Sequence, residues 1–165
     1  MNRDYNLVIF GSYHGATLHS VKFSDSELCE YEIFLDTPEI RNNKGFYPVE
    51  ALVLEMIKEI GFIDEYLDYE VDGKDIPVCK IKTEVASNLR LFFLCDDPKL
   101  SIVGGGGVKP WHVRNYQKVP VCNSAVELLV HTHTEIQRRI SSGDIRIVTN
   151  TYGSLQYDGN LRFRC

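Results

Sequence analysis

The chain has 165 residues, of which 44% are hydrophobic and 25% are charged, and its formal net charge is −5. This length and apolar content suit a single domain over residues 1–165 and exclude wholesale disorder. No apolar run approaches the roughly 18 residues of a membrane span, and the apolar stretch near the N-terminus is too short for a signal peptide. We therefore expect a cytoplasmic protein without membrane contact.

Cysteine and histidine spacing argues against cofactor or metal chemistry. The five cysteines are widely spaced and form no C-x-x-C pair, so neither a disulfide framework nor a zinc site is expected. His131 and His133 are two residues apart on a predicted helix and project in different directions. We expect no cofactor and no bound metal.

Charge is distributed unevenly along the chain. Residues 1–99 contain 10 basic and 19 acidic side chains, a net charge of −9, whereas residues 100–165 contain 8 and 4, a net charge of +4. The acidic total argues against general nucleic-acid binding, but the basic last third is compatible with a local anion-binding face. Ordinary scatter of charges explains the count equally well.

The first 61 residues predict a hairpin, a third strand and a helix. Alternating or apolar runs predict strands over residues 5–10, 16–23 and 30–36. A polar loop is predicted over residues 36–45. Residues 48–60 have apolar side chains at helical spacing, with Pro48 in the first turn and Gly61 as the stop.

The middle of the chain predicts a three-strand antiparallel meander. Residues 62–71 are compatible with either a short helix or a strand, and a turn is predicted at 72–75. The meander strands are predicted at residues 78–85, 89–95 and 100–103. Residues 89–95 are apolar on both faces, so we expect that strand to be central, with Arg90 near the limit of the buried region.

The last third predicts a long helix and two strands. The helix covers residues 124–140, with Ser124 as N-cap and Glu127 completing a capping box. Strands are predicted at 146–150 and 161–164. The predicted fold class is α+β: an antiparallel sheet with a central three-strand meander packed on two main helices, and additional strands at both ends.

Four consecutive glycines follow the last meander strand. Gly104–Gly107 match neither a P-loop nor a dinucleotide fingerprint, because no Gly-Lys-Ser/Thr sequence and no helix follows them directly. A bulge or a flexible exit from the strand is the favoured interpretation. Binding of a small anionic ligand there is a weaker alternative.

Residues 109–118 combine cations with aromatic side chains. Lysine and arginine neutralise phosphates, while Trp111 and Tyr116 can stack on unpaired bases, which together suit single-stranded RNA. RNA cleavage without a metal would use His112 as general acid or base, and three cations to stabilise the phosphorane: Lys109, Arg114 and Lys118. The structural alternative is a solvated loop anchored by a buried Trp111.

The order of these segments over residues 46–141 resembles the RelE/ParE toxin superfamily. The parallels are an apolar strand with an arginine (Arg90), a further strand, basic Lys-Pro and Lys-x-Pro motifs at Lys109 and Lys118, and a helix after them. Residues 46–141 would then be a RelE-like core, with an N-terminal strand extension at 1–45 and C-terminal strands at 142–165.

This resemblance implies ribosome-dependent mRNA cleavage and pairing with an antitoxin. It also implies that Arg90 contacts the substrate, with a further arginine and an aromatic residue near the C-terminus, for which Arg146 with Tyr152 or Tyr157 are candidates. Trp111 and Tyr116 are substrate-binding candidates through base stacking. The chain departs from the family in being acidic and longer, and in its glycine run. The alternative function is therefore a non-catalytic protein–protein interaction domain of the same fold, for example one that forms a homodimer.

Overall fold

The protein is described from a computed structural model that covers residues 2–69 and 76–165. Within these residues the fold is α+β, as predicted, and it is built on one large sheet and one small one. The strands are β1 (Asp4–Ser12), β2 (Thr17–Phe23), β3 (Leu67–Tyr69), β4 (Val78–Ile81), β5 (Leu89–Asp97), β6 (Leu100–Val108), β7 (Ile145–Thr149), β8 (Leu155–Gly159) and β9 (Arg162–Arg164).

The helices lie between these strands and differ widely in length. They are α1 (Glu30–Asp36), α2 (Pro38–Arg41), α3 (Phe46–Glu55), α4 (Thr83–Ala86) and α5 (Pro120–Ser142). A π-helical turn, Met56–Ile60, extends α3, and short 3₁₀ turns cover Asp64–Tyr66 and Tyr116–Lys118. The two main predicted helices are thus confirmed as α3 and α5.

The large sheet has seven strands in the order β3-β4-β5-β6-β2-β1-β9. The predicted N-terminal hairpin is confirmed as β1 and β2, and the predicted meander as β4, β5 and β6. All neighbours are antiparallel except β2 and β6, which run parallel from Thr17 opposite Leu100 to Ser20 opposite Val103. The small sheet is the β7–β8 hairpin.

Both faces of the large sheet are covered by other elements, and the central strand β5 accordingly has apolar side chains on both faces. Leu91, Phe93 and Cys95 belong to a core shared with α1 to α4. Phe92 and Leu94 belong to a second core formed with α5 and the β7–β8 hairpin. This alternation agrees with the central position predicted for residues 89–95.

Residues 30–36 were predicted as a strand, and this is wrong: they form α1. Tyr31 and Phe34 are three residues apart and both buried, so helical spacing describes their burial better than alternation does. The Glu32 carboxylate also accepts a hydrogen bond from the backbone N–H of Cys29 at 2.8 Å, which satisfies a donor at the helix start. Part of the predicted loop 36–45 is likewise helical, as α2.

Two other boundaries differ from the predictions, and one strand was not predicted. The strand predicted at 78–85 ends at Ile81 and is followed by α4. The helix predicted from Ser124 begins at Pro120, with Val119 as N-cap, so the proposed capping box does not form. β8 was not predicted, and the turn predicted at 72–75 lies outside the described residues. Gly143 ends α5 in the left-handed conformation, as the sequence suggested (φ 83°).

Candidate functional site

Cationic side chains from the sheet and from the loop after β6 line one open cavity of about 580 Å³. We call it the cationic cavity. It brings together four of the eight predicted site residues: Arg90, Lys109, Arg114 and Tyr116. The remaining lining residues are Lys80, Asn115 and Gln117.

The floor of the cationic cavity is the face of the sheet that also carries α5. Lys80 on β4 lies opposite Phe92 on β5, and Arg90 lies two residues before Phe92. Side chains two residues apart on a strand share a face, so all three point to the same side. The apolar side chains of α5 cover only part of this face. Lys80 and Arg90 occupy the part that α5 does not cover.

Arg90 is held rigidly although it is charged. It is only 6% exposed, and its Nη1 donates to the carbonyl oxygens of Ser87 at 2.9 Å and Leu89 at 2.8 Å. Lys80 is similarly buried and forms an ion pair with Asp68 at 3.4 Å. The floor therefore offers cations at fixed positions, which reduces the entropy lost when an anion binds.

The wall of the cavity is the segment between β6 and α5. The backbone N–H of Lys109 donates to the carbonyl of Asn88 at 2.9 Å, and its Nζ donates to the carbonyl of Val113. The Tyr116 ring packs on Phe92 with centroids 5.5 Å apart, which joins the wall to the core. Arg114 is exposed at the rim of the cavity.

The chemistry of this cavity is anion binding. Its described lining contains four cationic side chains and no carboxylate. Arginine and lysine at one concave site suit phosphate or carboxylate groups, and Tyr116 adds a hydroxyl and an aromatic surface. Among residues 2–69 and 76–165 no group of three or more His, Cys, Asp and Glu side chains could hold a metal ion.

The other four predicted site residues lie elsewhere. Lys118 lines a separate cavity beside α1, and His112 is exposed in the loop without lining a described cavity. Trp111 is 63% exposed beside α4, so the alternative of a loop anchored by a buried Trp111 is wrong. Arg146 on β7 forms an ion pair with Asp158 at 2.6 Å.

The glycine run is part of a strand and shapes its packing. β6 continues through Gly104–Gly107, so the interpretation as a strand exit is wrong. Phe92 pairs with Gly105 while Phe93 pairs with Val103, which leaves Gly104 as the extra residue of a β-bulge, the other favoured interpretation. A Cβ on Gly104 would lie 2.6 Å from Leu129 Cγ, so glycine lets α5 approach β6 closely.

Two polar features are absent from the sequence-based predictions. Lys80 alternates with the apolar side chains of its predicted strand, and pairing its face with the face of Arg90 would have placed it in the cavity. Asp96 follows directly after the predicted strand 89–95, and its carboxylate accepts a 2.5 Å hydrogen bond from the Tyr157 hydroxyl and lies 3.6 Å from His133 Nδ1. No local motif predicts this contact, because Tyr157 is distant in sequence.

Comparisons with known protein families, with characterised proteins and with solved structures find no match to this chain. In the described residues, no helix combines the length and the apolar character needed to cross a membrane.

Proposed function

We propose that this protein binds single-stranded RNA, with a backbone phosphate held in the cationic cavity. The observation that supports this most directly is the convergence of Arg90, Lys109 and Arg114 with Lys80 at one concave site. These residues come from three separate segments, β4, β5 and the loop after β6, so their clustering is a property of the fold. Phosphates are the anions that such an arrangement suits best.

Aromatic side chains beside the cavity favour RNA over a free anion. Tyr116 lines the cavity, and the exposed Trp111 lies in the same loop. Unpaired bases stack on such side chains, and each stacked base contributes about 1–3 kcal/mol. The acidic remainder of the chain would restrict binding to this face, since duplex or nonspecific binding requires a broader basic surface.

Fluorescence anisotropy with a labelled single-stranded RNA tests the binding proposal. The double variant Lys109→Ala/Arg114→Ala should weaken binding by about tenfold or more and reduce the slope of log Kd against log salt. The matched control is Lys22→Ala/Lys58→Ala, which removes the same charge away from the cavity. If both double variants lose affinity equally, or if the wild type does not bind, the proposal is wrong.

Toxin-like mRNA cleavage is the catalytic extension of this proposal. Lys109 and Arg114 would stabilise the charge that develops on the phosphorane, as such cations do in metal-free ribonuclease chemistry. His112 lies in the same loop but does not line the cavity, so cleavage requires the loop to reposition it. An acidic antitoxin-like partner covering the cationic cavity would inhibit this activity through charge complementarity.

Cleavage is tested by expression from a tightly controlled promoter while growth and mRNA ends are followed. Growth arrest with ribosome-dependent mRNA cuts, both abolished by Lys109→Ala/Arg114→Ala and by His112→Ala, would support the activity. RNA binding with intact mRNA and normal growth would leave the protein as an RNA-binding protein without nuclease activity.

The exposure of Trp111 favours a second candidate function, a protein–protein interaction domain. Large aromatic side chains exposed at 63% are typical centres of interfaces, which they stabilise through buried apolar area. If this candidate is correct, light scattering should show a homodimer that Trp111→Asp converts to a folded monomer. A monomeric wild type that captures no partner would argue against it.

A further inference from the structure

Two further cavities border the glycine strand β6, on the side away from the cationic cavity, and meet over Gly106. Their volumes are about 520 and 490 Å³, and they share Glu30, Gly106 and Val121. We call the pair the glycine groove. It shares no lining residue with the cationic cavity, so the two can be perturbed independently.

The groove exists because β2 and β6 separate. Their parallel pairing ends at Ser20 and Val103, and in the described residues no strand pairs with the β2-facing edge of β6 after that point. α1 lies beside this part of β6 without filling the space. The glycines carry no side chains to fill it either, so peptide backbone forms the floor of the groove.

The walls of the groove are mainly apolar. Ile33 and Phe34 come from α1, while Val119 and Val121 lie around the start of α5. Volumes of this size and an apolar lining with few polar groups are typical of small-molecule sites. The apolar part of a ligand would be stabilised here by removal of its surface from water.

Glu30 is the polar group at the centre of the groove. Its Oε2 lies 3.2 Å from the position that a Cβ on Gly105 would occupy, so the missing side chain makes room for the carboxylate. Gly105 has a φ of 100°, which disfavours any other residue there. Burial raises the pKa of the Glu30 carboxyl, against the opposing effect of Arg3.

Glu30 has no direct partner in the described structure, although Arg3 acts on it electrostatically. No hydrogen bond or ion pair to its carboxylate is present among residues 2–69 and 76–165. The nearby cation Arg3 is engaged by Asp25 at 2.6 Å and lies over the Phe23 ring. The groove lining contains two further carboxylates, Glu39 and Glu127, and two permanent cations, Arg3 and Lys118.

We propose that the glycine groove binds a small organic cation, an amidinium or ammonium group on an apolar body, with the cation paired to Glu30. The apolar body lies between α1 and the segment that leads into α5. A partly buried carboxylate without a hydrogen-bond partner is stabilised by a cationic ligand, because the ligand supplies charge and hydrogen bonds that the protein does not.

Benzamidinium is a suitable probe because benzamide is its neutral isostere. In two-dimensional ¹H–¹⁵N NMR titrations of the full chain, benzamidinium should shift the amide signals of Gly105–Val108 saturably. Benzamide should bind about tenfold more weakly or not at all, since it lacks the charge. Equal binding of the two compounds, shifts confined to another surface, or no saturable binding at millimolar concentration would overturn the proposal.

Two variants locate the interaction. Glu30→Gln should weaken benzamidinium binding by about tenfold, whereas Glu27→Gln, an exposed carboxylate outside the groove, should leave it unchanged. Ile33→Lys places a positive charge on the groove wall and should abolish binding, whereas Leu54→Lys on the exposed face of α3 should not. Ile33 and Leu54 are both partly exposed, so both lysine variants should fold like the wild type, which circular dichroism will verify. Unchanged affinity in Glu30→Gln would refute the pairing.

Discussion

Lys80 on β4 and Arg90 on β5 lie on the same face of the central meander: Lys80 is directly opposite Phe92, and Arg90 is two residues before Phe92 on its strand. Both are buried among apolar neighbours, yet each side chain is held by a polar partner. Both cations thus present positive charge at fixed positions to the cationic cavity. Their arrangement is therefore the structural basis of the proposed phosphate site.

Arg90 should contribute to stability as well as to anion binding. Arg90→Met removes the donors to the Ser87 and Leu89 carbonyls and should lower the free energy of unfolding by about 2 kcal/mol. Arg114→Met, at the exposed rim, should change it by no more than about 0.5 kcal/mol. Urea denaturation measures both, and equal losses would contradict the rigid role assigned to Arg90.

Gly106 should not tolerate a side chain. Its Cβ would overlap the carbonyl oxygen of Arg90 on the neighbouring strand, and backbone cannot move aside without breaking the ladder. Gly106→Ala should therefore cost about 3 kcal/mol of stability. Gly143→Ala is the control: a Cβ on Gly143 meets nothing within 4 Å, so only its positive φ opposes the substitution and the cost should be about 1 kcal/mol. Thermal denaturation of the two variants would show whether this difference holds.

His19 should make the protein less stable as the pH falls. Burial lowers the pKa of His19 to about 4, so the imidazole stays neutral in the fold while the unfolded chain protonates near pH 6.5. The stability that neutral His19 contributes is fully present above pH 6.5 and is lost progressively between pH 6.5 and 4. The loss amounts to about 2 kcal/mol at pH 5. The free energy of unfolding of His19→Gln should show a correspondingly smaller decrease from pH 7.5 to 5.

The control for His19 is His112→Gln. His112 is exposed, so its replacement should leave the pH profile of stability parallel to that of the wild type. Other groups also titrate near pH 5, and the difference between wild type and variant removes their effect. A His19→Gln profile parallel to the wild type would show that His19 does not cause the acid sensitivity.

The hydroxyl of Tyr157 should stabilise the attachment of the β7–β8 hairpin to the sheet. Tyr157→Phe leaves the Asp96 carboxylate without its 2.5 Å donor and should cost about 2 kcal/mol, as for hydrogen bonds to charged groups. Asp96→Asn in the Tyr157→Phe background should cost much less than in the wild type. Additive losses in this double-mutant cycle would show that the two groups act independently. Tyr152→Phe, on an exposed loop residue, is a suitable control.

The parts of the fold that the sequence predicts correctly are those with strong local patterns. Residues 89–95 are apolar on both faces and are central, and the spacing around Val49 and Val53 gives α3. Residues 30–36 show why pattern alone fails: their alternation fits a strand, but Tyr31 and Phe34 fit a helix equally well, and tertiary packing decides. The parallel pairing of β2 with β6 has no local signal, because it joins segments about 80 residues apart.

The candidate site is predictable to a similar degree. Residue type in the basic loop identified Lys109, Arg114 and Tyr116, and the family resemblance identified Arg90; the fold brings these four together. The resemblance also selected Arg146, although Asp158 pairs with it across a hairpin that was not predicted. Glu30 is not among the predicted site residues, because its environment depends on where β2 and β6 separate, which no local pattern indicates.

The position of β9 beside β1 has a consequence for how the chain folds. Asp4 lies opposite Arg164, and the Arg3 and Cys165 backbones exchange hydrogen bonds, so strand pairs that complete the sheet join residues about 160 positions apart. During synthesis, β1 and β2 emerge long before β6 and β9, which flank them in the finished sheet. The β1–β2 hairpin therefore remains with both of its edges unpaired until then. We expect folding to be slow, and the chain to be prone to self-association until residues 162–164 have left the ribosome.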